Sequence, residues 1–292
     1  MYNHKLINDL AWAIGSPSLV DQATYTDDRL LTNEWFKKQI EDNHLILSEQ
    51  DKSPQLIQSY LSQMPAFRLG LYFENLLAYW FTIHPDYQVL KKNVVISSEN
   101  TTIGELDFIL KELSSGKVIH LEVSVKFYLQ IVHKNKAVWL GPNLNDNFEL
   151  KLAKIFNRQI ELSNKPITTN TLNQYGIEID ERWVIIKGRL FSHDSKLSAD
   201  TCWLTIDEFE AYNDTQSQWV ILPKTHWLSH VNNLDYNFLA ADIHDKDSLL
   251  VELNNTFRSS PVCIAQINNQ IETKRLFITP DDWEQKAKDT LG

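Results

Sequence analysis

The sequence predicts a mixed α+β fold, an α/β chain organised around one β-hairpin. Three observations carry that prediction. Residues 67–83 repeat Phe73, Leu76, Leu77 and Trp80 at helical spacing. Residues 104–110 and 117–129 alternate their side chains with the period of two that a strand imposes. Short strand-like apolar runs then recur through the last third of the chain.

The elements follow in order. Helices are expected over 9–14, 34–40 and 55–64, joined by polar linkers carrying Ser16–Pro17 and Ser53–Pro54. Pro85 ends the helix at 67–83, and a strand follows over 87–97. Ser114, Ser115, Gly116 and Lys117 are turn residues, so the strands at 104–112 and 117–129 form a hairpin. Residues 139–143, WLGPN, end a strand in a Gly-Pro turn. A helix over 146–162 turns Phe148, Leu152, Ile155, Phe156 and Ile160 inward and leaves Lys151, Lys154 and Arg158 on an outer stripe. A Thr/Asn-rich connector, 164–173, leads to a strand at 182–191. Short strands are expected at 202–206, 219–222, 262–267 and 275–278, with a capped helix starting at Asp207. Tryptophans 183, 203, 219, 227 and 283 fall late in the chain and anchor a small core; as exposed rings they would instead stack bases. Three regions result: an N-terminal helical extension (1–66), a core (67–192) and a strand-rich C-terminal region packed on it (193–292).

Composition narrows the function classes. A chain of 292 residues, 43% hydrophobic and 23% charged, can bury a sizeable core. No apolar run reaches membrane-spanning length and the N-terminus lacks a signal-peptide pattern, so no membrane partner and a cytoplasmic location are expected. Cys202 and Cys263 lack metal-ligand spacing, and neither a P-loop nor a dinucleotide fingerprint occurs. The net charge of −10 argues against nonspecific coating of nucleic acid. Residues 122–160 nevertheless hold six Lys/Arg against three acids, which is +3 and leaves −13 on the remainder. Lys151, Lys154 and Arg158 in that segment are candidates for phosphate contacts, or an ordinary solvated helix face.

The chemistry concentrates in GLYFEN (70–75), GELDFIL (104–110) and HLEVSVKFYL (120–129). Glu74 falls near the start of a helix and Asp107 on the first hairpin strand. On the second strand His120, Glu122, Ser124 and Lys126 share one face, opposite the apolar Ile119, Leu121, Val123, Val125 and Phe127. Carboxylate oxygens suit hard cations such as Mg²⁺, and pairing through the hairpin turn can set Asp107 beside Glu122.

This arrangement resembles the PD-(D/E)XK nuclease-like superfamily, whose restriction-endonuclease-like core runs αβββαβ. The wording DLAWAIGSPSL (9–19), KFYL (126–129), WLGPN (139–143) and LPKTHWL (222–228) also looks like an uncharacterised bacterial domain-of-unknown-function family grouped with those nucleases. The resemblance implies that Asp107 and Glu122 ligate Mg²⁺ or Mn²⁺. The Val123 carbonyl would be a further ligand, and Glu74 would act through water or a second metal. Lys126 would orient the attacking water. Two positions depart from the pattern: Leu106 stands where proline is expected, and Ser124 where the lysine is expected. Lys126, about 6–7 Å further along the strand, is the next residue on that face.

The expected function is Mg²⁺-dependent hydrolysis of phosphodiester bonds in DNA rather than RNA, with a homodimer able to cut two strands. Two other readings stay open. One is a nuclease-like fold without catalysis that binds nucleic acid or protein; the other is an unrelated α/β protein in which Glu122 and Lys126 form a structural ion pair.

Overall fold

The computed structural model describes residues 2–20, 25–63, 68–99, 101–213, 216–232, 239, 242–256 and 260–292. Met64 and Phe67, at the ends of two helices expected from the sequence, lie outside them. The fold is mixed α/β, with helices and ten strands among the described residues. The chain forms two compact units. The hairpin unit holds residues 9–125 and 150–187, and the C-terminal unit holds 1–8, 126–149 and 188–292. Strands β3 (Val118–His133) and β5 (Glu181–His193) supply residues to both. Among the described residues no helix is long and apolar enough to cross a membrane.

Helix α1 (Lys5–Gly15) supplies residues to both units; in the hairpin unit, α2 (Asn33–Lys52), α3 (Gln55–Ser62) and α4 (Leu69–Ile83) precede strands β1 (Tyr87–Ser98) and β2 (Thr101–Glu112). Thr32 caps α2 by accepting the Trp35 amide at 3.0 Å. Helix α4 is mostly apolar and buries Tyr72, Phe73, Leu76, Leu77, Trp80 and Phe81, as a core helix must. Each such side chain contributes about 1.5–3 kcal/mol on burial. Pro85 forces His84 into extended backbone and stops the helix. Phe81 then meets Phe108 of β2, with ring centroids 6.0 Å apart.

Strand β2 pairs antiparallel with β1 and with β3. The β2–β3 turn needs Gly116, whose φ of 76° suits a residue without Cβ. The N-terminal segment joins the same unit: Leu19 N donates to Ile186 O at 2.8 Å, and Leu31 N to Val184 O at 3.1 Å. After β3 and β4 (Lys136–Leu140) the chain enters helix α5 (Phe148–Lys154). It passes through a π-helical turn (Ile155–Gln159) and a 3-10 turn (Ile160–Asn164) rather than the uniform helix expected over 146–162. The connector expected at 164–173 is a helix instead, α6 (Pro166–Asn173), started by Pro166 and anchored by buried Thr168 and Leu172. Leu162 and Leu172 pack with Ile96, Leu106, Ile109 and Ile177 under the hairpin.

In the C-terminal unit, β6 (Thr201–Thr205) runs parallel to β5 and to β10 (Ile271–Thr279). Strand β9 (Val262–Asn268) pairs antiparallel with β10 and with β7 (Gln218–Ile221), and β8 (Ile243–His244) closes on β7. Thr205 and Glu208 form the capping box of helix α7 (Ile206–Ala211). Trp203, Trp219 and Trp283 are buried, which makes them core anchors rather than a stacking platform. Gly188 has φ +148°, and a Cβ there would stand 1.7 Å from the Lys126 carbonyl oxygen. Cys202 and Cys263 are free and buried.

Candidate metal centre

The hairpin register brings the two central carboxylates together. Phe108 faces Leu121 and Ile109 faces His120. One step further along this register, Asp107 comes opposite Glu122. There a side-chain bond replaces the ladder: the Val123 amide donates to Asp107 Oδ2 at 2.9 Å.

Glu122 is 2% exposed. Its Oε1 lies 3.0 Å from His120 Nε2, and its Oε2 accepts from Gln159 Nε2 at 2.9 Å. His120 Nδ1 lies 3.0 Å from Ser163 Oγ, which accepts from Arg182 Nε at 3.0 Å and donates to Ile160 O at 3.2 Å. Burial, with the Arg182 charge, pushes His120 down to about 3, so the ring is neutral and carries one N–H. Ser163 has committed its proton to Ile160, which assigns the imidazole proton to Nδ1. The Nε2 lone pair then faces Glu122 Oε1, and the proton between them belongs to Glu122.

The acidities agree with that assignment. Burial pushes Glu122 up to about 7, against the pull of the Asp107 amide, the Lys151 charge and the Gln159 carboxamide. Burial pushes Asp107 up to about 8, and the Glu122 charge adds to it; the Val123 amide bond opposes both. Two buried carboxyls that resist ionising side by side are what a bound cation would relieve.

Asp107 opens into a cavity of about 660 Å³. Glu74 of α4 and Glu105 of β2 also line it, and their charges reach Asp107. Glu74 Oε1 is buried without a hydrogen bond, 3.4 Å from Lys92 Nζ. Lys154, Arg158 and Lys165 line the same space, with Gln159, Ile103 and Leu162. Gly104 admits Leu162 there: a Cβ would meet Leu162 Cδ2 at 2.7 Å. One cavity thus joins acids from α4 and β2 to bases from the segment after β4.

Lys126 behaves otherwise. It falls in the C-terminal unit, and its amine is paired with Asp146. The partners found for Glu122 are His120 and Gln159, so the Glu122–Lys126 ion pair considered from the sequence is replaced by those contacts. Lys151 Nζ instead donates to Gln159 Oε1 at 3.0 Å. Gln159, Glu105 and Lys165 line the cavity without any motif in the sequence that marks them. Gln159 is brought to Glu122 by the π turn, for which the sequence carries no signal.

Among the described residues no three His, Cys, Asp or Glu side chains cluster closely enough to hold a metal by themselves. A cation held here by Asp107 and Glu122 would have two carboxylates and would need water or phosphate for its other positions, as Mg²⁺ does where it keeps several waters and binds through one or two carboxylates plus phosphate.

No curated protein and no solved structure matches the chain. A family model matches residues 8–279, and the chain accordingly belongs to the family described as "Domain of unknown function (DUF1853)".

Proposed function

We propose that the chain is a Mg²⁺-dependent phosphodiesterase acting on DNA, in the manner of the PD-(D/E)XK nuclease-like proteins that its sequence resembles. One observation carries the reading. Asp107, whose buried carboxyl feels the charge of Glu122, lines a cavity together with Glu74, Glu105, Lys154, Arg158 and Lys165. The element order α4, β1, β2, β3, β4, α5, α6, β5 contains the succession αβββαβ that the resemblance implies, with β4 and α6 as additions to it.

Asp107 and Glu122 would hold the cation, which supplies an acidified water and screens phosphate charge. Lys154, Arg158 and Lys165 would grip the phosphates beside the scissile bond. His120 and Gln159 orient Glu122 and leave it few alternative rotamers. In the reaction a water oxygen bonds to phosphorus as the water releases a proton to solvent, one P–O ester bond breaks, and the departing alkoxide takes up a proton from solvent, so that protons balance. Charge developing on the phosphate would be met by the basic side chains.

The pairing of Lys126 with Asp146 favours a second reading, a nuclease-like fold that binds DNA without cutting it. Plasmid and oligonucleotide duplexes incubated with Mg²⁺ or Mn²⁺ separate the two. Cleavage by the wild type that disappears in Asp107→Ala and Glu122→Ala supports catalysis. Salt-sensitive binding with no cleavage under either metal supports the second reading. Absence of both removes the nucleic-acid assignment.

A further inference from the structure

We propose that Lys151 and Gln159 are positioning residues that hold Glu122 for the cation. This inference rests on the metal reading above and adds to it which side chains make Glu122 a competent ligand. The geometry is a short chain of contacts. Lys151 Nζ donates to Gln159 Oε1 at 3.0 Å, and Gln159 Nε2 donates to Glu122 Oε2 at 2.9 Å. A carboxamide has both a donor and an acceptor end, so Gln159 passes the orientation of a cation on to a carboxylate. Holding Oε1 of Gln159 on Lys151 prevents the carboxamide from flipping its oxygen towards Glu122.

Local structure makes the contact. Lys151 and Gln159 are eight residues apart in sequence, on α5 and at the end of the π turn, and both are half-buried. The turn buries Ile155 and Phe156 while Arg158 and Gln159 line the cavity. Single π turns of this kind frequently accompany functional sites. Lys126 cannot serve the same purpose while its amine is held by Asp146. The basic stripe of the sequence thereby divides: Lys154 and Arg158 line the cavity, and Lys151 supports the acid beside it.

The test measures Mn²⁺ affinity by electron paramagnetic resonance on the full chain, with melting temperature recorded in parallel. Partners that orient a metal ligand typically contribute 10–100-fold in affinity. Lys151→Met and Gln159→Met are each expected to weaken Mn²⁺ binding by about 10-fold or more. The double variant should be no weaker than the weaker single, because both act through one chain of contacts. Lys151→Arg, which keeps charge and donor, should recover most of the loss. Wild-type affinity in both single variants, or loss in Lys126→Met with retention in Lys151→Met, overturns the inference and leaves the metal reading standing. No Mn²⁺ binding by the wild type overturns the metal reading and the inference together. A single variant that fails to melt cooperatively is set aside, and the other single variant decides.

Discussion

Replacing Glu122 by glutamine should make the metal-free chain more stable at alkaline pH. The side chain is 2% exposed, and burial moves its pKa from 4.5 to about 7. A carboxyl raised in this way leaves stability intact below about 4.5 and erodes it as pH climbs through about 7. At about 1.4 kcal/mol per pH unit, ionised Glu122 costs the folded state about 3 kcal/mol at pH 8. At pH 5 the folded side chain keeps its proton, and the cost is below about 1 kcal/mol. Glutamine has the same shape, accepts from Gln159 and donates to His120 Nε2, so it keeps both contacts. Melting curves without divalent ions should place Glu122→Gln above wild type by about 6–12 °C at pH 8, and by a few degrees or less at pH 5. Added Mg²⁺ should raise the wild type at pH 8 and leave the variant nearly unmoved. Parallel pH profiles for the two proteins would refute the claim that this carboxyl is buried against its own charge.

Three further perturbations test other parts of the account. Gly188→Ala places a Cβ 1.7 Å from the Lys126 carbonyl oxygen at a φ of +148°, so urea titration should show a loss of about 3 kcal/mol or more. Lys154→Ala and Arg158→Ala should each lower the log–log salt slope of duplex binding by about 0.9, read by fluorescence anisotropy without divalent ions; an unchanged slope removes that residue from the phosphate path. Arg275→Met strips the guanidinium bonded at 2.7 and 2.6 Å from buried Glu272, leaving it the His230 ring and the Val231 amide, and should cost about 3–5 kcal/mol in urea titration. Although burial pushes Glu272 up, the Arg275 charge holds it down at about 2, so the wild-type pair keeps its contribution above about 4.5 and loses it as pH falls through about 2.

Much of the hairpin was legible because its signals are local. Period-two alternation and the Ser-Ser-Gly-Lys turn mark two paired strands, whereas the register that brings Asp107 towards Glu122 is read only from the structure. Helix α4 is legible from its apolar recurrence, and a capped helix from Asp207 onwards, while the structure places its cap at Thr205 with Glu208. Helix α2 runs well past the 34–40 expected, because the side chains it buries (Phe36, Gln39, Asn43, Leu47, Asp51) keep helical spacing but are mostly polar. Helix α6 was hidden by its Thr/Asn content, a weak propensity that Pro166 and the burial of Leu172 override. Lys126 illustrates the limit of face arguments. Alternation placed its amine on the face of Glu122, but a long side chain goes to the nearest available carboxylate, and that is Asp146. Gln159 depends on a π turn, and the contacts that select one turn type over another are distant in sequence.

Anomalous diffraction from crystals grown with Mn²⁺ at pH 8 tests the central claim most directly. The account predicts a peak about 2.0–2.4 Å from oxygens of both Asp107 and Glu122, its remaining positions filled by water. A map with no peak at that pair, or with the ion bound elsewhere on the chain, would contradict it.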